Sequence, residues 1–432
     1  MLIAGVLLAV CVLILYGLPV AVTLGAVAAV LMWATTGPDL LVILIQRMYA
    51  ATTSFPLLAV PFFVLAGNLM NTGGMTERIF AVAHLMVGRI RGGLGHVNVL
   101  ASMLFAGMSG SAVADAAGLG VVEVRAMTKA GYSARFAATI TAVSSTIGPI
   151  IPPSIPFVIY GSLANVSVGA LFLAGLVPGI LMGVALMAII AVVARRRNLP
   201  VAEGRPPLPE SWAILRAALP ALAMPPLVLG GIFGGIVTPT EAAVVAAGYA
   251  FLLGFLFYRE LKLSDLPEIL WQSGRQTAQV MLIIAAAAPF GWVLIQQEIP
   301  NAVMAALFAL STEPWVILLI INVVLLVLGM FIEGIAILII AFPVLLPVMT
   351  QLGVDPVHFG VVVVLNIMIG LVTPPVGMCL YVVSEVGKVP INEIIAEMWP
   401  YVLALIGVLL LVTYIPALSL WLPQTLGYGL VR

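Results

Sequence analysis

Two short stretches gather oxygen-bearing side chains and accessible backbone in a chain otherwise poor in polar groups. "GMSGSAVAD" (107–115) holds Gly107, Ser109, Gly110, Ser111 and Asp115. "SSTIGPIIPPS" (144–154) holds Ser144, Ser145, Thr146, Gly148, Pro149 and Ser154. Proline removes a backbone N–H and strips helix carbonyls of their donors. Glycine lets a ligand approach the backbone closely. Neutral hydroxyl and carbonyl oxygens brought together in this way suit a hard monovalent cation such as Na+. A helix that restarts after such a tip or break points its positive N-terminus into the same space, which favours a carboxylate. The same residue types return later, as Gly329 and Glu333 in "GMFIEG" (329–334) and Asn366, Gly370, Thr373 and Pro374 in "NIMIGLVTPPV" (366–376).

Three acids stand in apolar surroundings: Asp115, Glu333 and Glu241, the last within "TPTEAA" (238–243). Carboxyl groups inside a membrane are costly and face an interior or a cavity. Glu333 adjoins a tip, which assigns it to the site. Glu241 follows Thr238 and Pro239 and reads either as a buried acid or as part of a helix cap. "GMSG" also matches the G-x-S-G of an intramembrane serine protease, with Ser109 as nucleophile. Such a serine needs a base within hydrogen-bond reach. The histidines are His84 in a surface segment, His96 ahead of the first hairpin and His358 at the outer end of a span, so the protease reading is disfavoured. Neither H-E-x-x-H nor a P-loop occurs. The chain is expected to be no enzyme, to need no cofactor and to hydrolyse no ATP.

The elements that hold these residues lie in a membrane. Of 432 residues, 63% are hydrophobic and 8% charged, against roughly 25% charged in soluble domains. Apolar runs such as Val168–Ala194, Leu219–Ile236 and Ala242–Tyr258 are long enough to span a bilayer. The fold class is an all-α polytopic membrane protein in a lipid bilayer, with no nucleic-acid partner. No basic region precedes Leu2, and the first apolar run continues past Gly17–Pro19 into another, which argues against a cleaved signal. Cys11 and Cys379 lie in apolar segments and read as packing. Spans are expected near 2–16, 19–35, 54–71, 136–165, 169–194, 219–237, 240–258, 278–296, 358–386 and 400–422. The segments 97–128 and 314–349 read as re-entrant hairpins. With Arg195–Arg197 on the cytoplasmic side, fifteen of the seventeen Lys and Arg residues fall inside, and Arg47 and Arg432 fall outside. Both termini are then periplasmic in a multi-pass inner-membrane protein. Glu77–Arg91, Ser211–Ala218, Leu266–Arg275 and Asn392–Trp399 mix charged and apolar residues and read as helices at the interface.

The chain also repeats itself. "FAGMSGS" (105–111) returns as "VLGMFIE" (327–333), and "IGPIIPPS" (147–154) as "IGLVTPPV" (369–376), both displaced by 222 positions. "AVPFF" (59–63) returns as "AAPFG" (287–291) at a slightly larger displacement, and Pro19 pairs more weakly with Pro239. Two halves follow, 1–210 and 211–432, each with one hairpin and one broken span. The charges make the first hairpin enter from the cytoplasm and the second from outside. Inverted repeats with discontinuous helices mark secondary transporters, whose site lies near the bilayer midplane.

The motifs "GMSGSAVADAAGLG", "STIGPIIPPSIPFVIYG", "GIVTPTEAAVVAAGYA", "GMFIEGIAILIIAFPVLLPV" and "LNIMIGLVTPPVGMCLYV" occur in that order. Together they resemble the large membrane subunit of tripartite ATP-independent periplasmic (TRAP) transporters, the DctM-like family. The resemblance covers essentially the whole chain. It implies the elevator-type fold of the ion transporter superfamily and Na+-coupled uptake of a small organic acid. It implies two partners, a small four-span membrane subunit and a periplasmic substrate-binding protein, and no fused small subunit ahead of Met1. Carried onto this sequence, it places Na+ sites at Gly107, Ser109, Gly110 and Ser111 with Ser145, Gly148 and Pro149, and at Gly329 and Glu333 with Gly370, Thr373 and Pro374. The substrate carboxylate is expected near Ser111, Ser154 and Thr373. The family commonly has Asp where this chain has Glu333. A stand-alone Na+/dicarboxylate symporter shares the inverted-repeat design, but the Ser-Asn-Thr typical of its tips is absent here.

Overall fold

The computed structural model describes residues 5, 9, 10, 12–14, 16–37, 41–201 and 207–428. Most of the expected first span, Cys11, Arg205 and Arg432 lie outside the described residues. No strand occurs among the described residues. Val20–Thr36 (α1) and Leu41–Thr52 (α2) lead into Ala59–Thr72 (α3) and the short amphipathic Met75–Val87 (α4). The first hairpin follows as Gly93–Ser109 (α5), then Ala112–Ala117 (α6) and Leu119–Lys129 (α7). The first broken span is Ala134–Ser145 (α8) and Ile155–Ala164 (α9), and Val168–Arg196 (α10) returns across the membrane. The second half runs through Leu208–Leu222 (α11), Met224–Phe233 (α12), Pro239–Leu252 (α13), Leu266–Gln296 (α14) and Ile299–Leu310 (α15). Its hairpin is Pro314–Gly329 (α16) with Gly334–Gln351 (α17), and its broken span is Pro356–Gly370 (α18) with Met378–Gly387 (α19). Ile391–Tyr414 (α20) and Ala417–Thr425 (α21) close the chain. Among the described residues, seven helices, or eight with one bent pair, are long and apolar enough to cross a membrane.

Local chemistry accounts for the breaks. Pro149, Pro152 and Pro153 cannot continue α8, and each residue before a proline is pushed away from the helical region. α9 restarts where Ser154 caps it, its Oγ accepting from Phe157 N at 3.2 Å, with proline in the first turn. Ser133 and Ser167 cap α8 and α10 in the same manner. The Pro152–Pro153 and Pro374–Pro375 bonds are both cis.

Helix boundaries recur at the displacement of 222: α5 with α16, α8 with α18, α9 with α19 and α10 with α20. Packing crosses between the halves. α1 lies on α14, and α13 lies on α3. α8 packs against α19, and α18 against α9.

Three of the expected interfacial segments are continuous with spans. Leu266–Arg275 is the start of the 31-residue α14, and Asn392–Trp399 the start of the 24-residue α20. Ser211–Ala218 belongs to α11, which joins α12 at Ala223. At 1.5 Å per residue α14 is roughly 46 Å long, more than the ~30 Å of hydrocarbon, so its charges sit beyond the apolar core without any break. Glu77–Arg91 is the exception, since α4 stands as a separate helix. The last expected span ends early, at Tyr414. Helices α2 and α15 were not anticipated; both lie in segments read as connections.

Candidate functional site

Each hairpin tip rests on the break of its own half. Gly110 closes the first tip with φ +60°, a left-handed turn that glycine adopts without strain. A Cβ there would stand 3.0 Å from Pro153 O and 3.2 Å from Ile155 N, so the tip abuts the start of α9. Ser111 caps α6, its Oγ accepting from Ala114 N at 3.4 Å. Asp115 is buried, and its Oδ2 lies so close to Gly148 that a Cβ on that glycine would meet it at 2.1 Å. In the second half Gly329 and Gly370 pack backbone to backbone, and a Cβ on Gly370 would come 2.6 Å from Gly329 Cα. Gly377 N donates to Met330 O at 3.1 Å, tying that tip to its break. Glu333 caps α17, its Oε2 accepting from Ala336 N at 3.1 Å.

The two breaks also meet each other. α19 packs on α6 and α8, and the buried Cys379 thiol lies beside the Ser145 hydroxyl, within the field of Asp115. Asp115, Ser145, Gly148 and the start of α19 therefore share one centre. Gly107 and Ser109 occupy the last turn of α5; the side chains of residues 107–109 lie outside the described residues.

The hydroxyls at the breaks point their protons backwards. Ser145 Oγ donates to Ala142 O at 2.8 Å, Thr146 Oγ1 to Val143 O at 2.6 Å and Thr373 Oγ1 to Ile369 O at 2.7 Å. Ser154 Oγ donates to Pro149 O at 2.5 Å. A hydroxyl so engaged still offers lone pairs, which a cation can use. It cannot donate to a carboxylate until that bond opens. In this conformation the Ser154 and Thr373 protons are thus committed elsewhere. Among the described residues no group of three or more His, Cys, Asp and Glu could hold a metal ion. The donors at the tips are hydroxyls, carbonyls and one carboxyl group per half, a set that fits a hard monovalent cation.

Glu241 is not a buried acid. It is exposed and completes a capping box with Thr238: Thr238 N and Oγ1 donate to its Oε2 at 2.7 and 2.9 Å, and Glu241 N donates to Thr238 Oγ1 at 3.3 Å. The alternative in which it caps α13 is the correct one. The histidines stand far from the tips. His96 is thirteen residues before Ser109 on α5, roughly 20 Å along the axis. His358 is bound to Ser419 Oγ at 2.7 Å.

Asn98, Ser102, Glu123, Thr141 and Asn322 escaped the sequence reading; they pair with Ser144 and Asn366, which did not. Asn98, Ser102, Glu123, Thr141 and Ser144 form one network behind the first break. Asn366 Nδ2 donates to Asn322 Oδ1 at 2.5 Å, and Asn322 Nδ2 donates to Thr413 Oγ1 at 3.0 Å. The signal available was a lone amide in each first hairpin arm, Asn98 and Asn322, where hydrocarbon would leave it unpaired. Buried Glu397 pairs with Arg135 at 3.1 Å and with Arg197.

Residues 7–418 match the family model described as the DctM component of the tripartite ATP-independent periplasmic transporter. The chain is 47% identical over 388 residues to the sialic acid TRAP transporter large permease protein SiaM of Vibrio cholerae, covering 89% of this chain and 90% of that protein. It is 43% identical over 390 residues to the C4-dicarboxylate TRAP transporter large permease protein DctM of Pseudomonas aeruginosa, covering 90% and 91%. Among solved structures, the YdaH transporter of Alcanivorax borkumensis aligns with a TM-score of 0.67 at 16% identity, over 98% of this chain and 100% of that one. MtrF of Neisseria gonorrhoeae aligns at 0.64 and 12% identity, over 88% and 85%. These two likenesses establish the fold alone. With the family model spanning nearly the whole sequence and full-length relatives above 40% identity, the chain belongs to the DctM family of TRAP transporter large membrane components.

Proposed function

We propose that this chain carries a small organic acid across the inner membrane, coupled to Na+, by an elevator motion of its hairpins and broken spans. In this reading residues 1–210 and 211–432 are inverted repeats, both termini are periplasmic, and each tip with its break cradles one Na+. A small four-span subunit and a periplasmic binding protein complete the transporter. The observation that carries the reading is the pair of close tip-to-break contacts, Gly110 on Pro153 and Ile155, and Gly329 on Gly370. Irregular backbone at membrane depth persists only where protein or a wet cavity covers it, and here each tip covers a break whose carbonyls face it. Relatives named for sialic acid and for C4-dicarboxylates point to an acid of that kind.

The test is uptake into liposomes that contain the chain with its small subunit, with binding protein added outside. Radiolabelled sialic acid and succinate serve as probes. Accumulation of one of them that needs both an inward Na+ gradient and the binding protein is expected. Uptake indifferent to Na+, or equal without the binding protein, refutes the reading.

A further inference from the structure

Glu123 lies on α7, in the second arm of the first hairpin, and is 1% exposed. Its Oε1 is buried with no hydrogen-bond partner among the described residues. Its Oε2 has one, the Thr141 hydroxyl at 3.4 Å. The network behind that contact runs one way. Ser102 Oγ donates to Ser144 Oγ at 3.1 Å, and Ser144 Oγ donates to Asn98 Oδ1 at 2.6 Å. Asn98 Nδ2 donates to Thr141 Oγ1 at 2.7 Å, which leaves the Thr141 proton for Glu123. Oε2 is thus an acceptor, and the unpartnered position is Oε1.

Among the described residues, the cations on α7 and on the helices packed against it are exposed or paired with other acids. On its own helix Arg125 and Lys129 are exposed. On the helices packed against α7, Arg135 is engaged by Glu397, Arg78 by Glu260, and Glu385 and His84 are exposed. Cys379 sits by Ser145, and neither His96 Nδ1, in the first turn of α5, nor Glu123 Oε1 has a hydrogen-bond partner among the described residues. The Asp115 carboxyl lies close enough to Glu123 to oppose a second negative charge there. A hard cation takes several oxygens, and the hydrogen-bond partner of this carboxyl among the described residues is the Thr141 hydroxyl. α7 and α8 are also close-packed one turn away, where a Cβ on Gly120 would meet Thr141 Cγ2 at 2.8 Å.

We propose that Glu123 is a proton-binding site within the first hairpin, carrying an exchangeable proton on Oε1. The proton removes a charge that the surroundings do not compensate. An O–H lacking an acceptor is far less costly to bury than an unpaired charge. The site is separate from the tips and does not rest on Na+ coupling.

Infrared difference spectroscopy during a pH titration tests it, on the full chain with its small subunit in lipid. The wild type should show a protonated-carboxyl carbonyl band that shifts in D2O and fades as pH rises. Glu123→Gln should lose that band, and Glu123→Asp should keep it at a displaced frequency. Absence of such a band in the wild type overturns the proposal, with no variant needed. Its persistence unchanged in Glu123→Gln also overturns it, because the proton then sits on another acid. If Glu123→Gln does not fold, the wild-type titration and the displaced Glu123→Asp band decide.

Discussion

Alanine at Gly370 tests the tip-to-break contact most directly. Its Cβ would stand 2.6 Å from Gly329 Cα and 2.8 Å from that residue's carbonyl carbon. Both obstacles are backbone, and neither can rotate aside. Ordinary contact begins at 3.4 Å, so the tip and the break must part by about 0.8 Å. Overpacking of this size costs roughly 1–3 kcal/mol of stability. The effect on a cation is sharper, because oxygens bind a hard cation at roughly 2.4 Å and a shift of that size removes a ligand. Taking a contact to a charged group as about 1.5–3 kcal/mol, Na+ affinity should fall roughly tenfold to a hundredfold. The assay is Na+-dependent thermal stabilisation of the purified complex, read as the Na+ concentration at half effect. Gly248→Ala is the control: nothing lies within 4 Å of its added Cβ, and it sits in α13. It should leave the Na+ dependence unchanged. A folded Gly370→Ala protein with wild-type Na+ dependence refutes the argument, as does an equal shift in the control.

Gly148→Ala meets chiefly a side chain, with Asp115 Oδ2 at 2.1 Å and the nearest backbone atom, Ser145 O, at 3.3 Å. Its stability loss should stay below about 2 kcal/mol and its Na+ shift below that of Gly370→Ala, measured in the same titration. The Glu397 cluster should respond asymmetrically, since the Glu397 side chain is 2% exposed while those of Arg135 and Arg197 are 45% and 47% exposed. Replacing both arginines by alanine strands a buried carboxylate and should cost about 3–5 kcal/mol. Glu397→Gln returns the arginines to water and should cost clearly less, by thermal unfolding. Glu241→Ala should lower the melting temperature slightly through loss of the α13 cap and leave the Na+ dependence at the wild-type value.

Spans, hairpins and breaks were readable because each depends on residues close in sequence: apolar runs, Gly-rich tips and clustered prolines. The 222-residue displacement linked them before any packing was known. What could not be read depends on distance. Glu397 looks like one charge among several at the start of α20, and its partners Arg135 and Arg197 belong to the other half of the chain. Glu123 looks like a surface acid because Arg125 and Lys129 follow it, although helical geometry turns those two outward and Glu123 inward. The charged starts of α14 and α20 mimic interfacial helices, since composition alone cannot tell a separate helix from the protruding end of a long one. α15 carries no Lys or Arg and passed for a loop.

The equivalence of the halves extends to the tips but not to their charges. Ser111 and Glu333 stand 222 positions apart, and each caps the helix that restarts after its tip, accepting from Ala114 N and Ala336 N respectively. The cap geometry is shared while one cap is a hydroxyl and the other a carboxyl group. The first half supplies its carboxyl group one turn later, at Asp115, against Gly148; the residue matching Asp115 in the second half is Ile337. Each tip thus carries one carboxyl group, at a different position in each half. The cross-packing of α8 with α19 and of α18 with α9 holds the two breaks against each other.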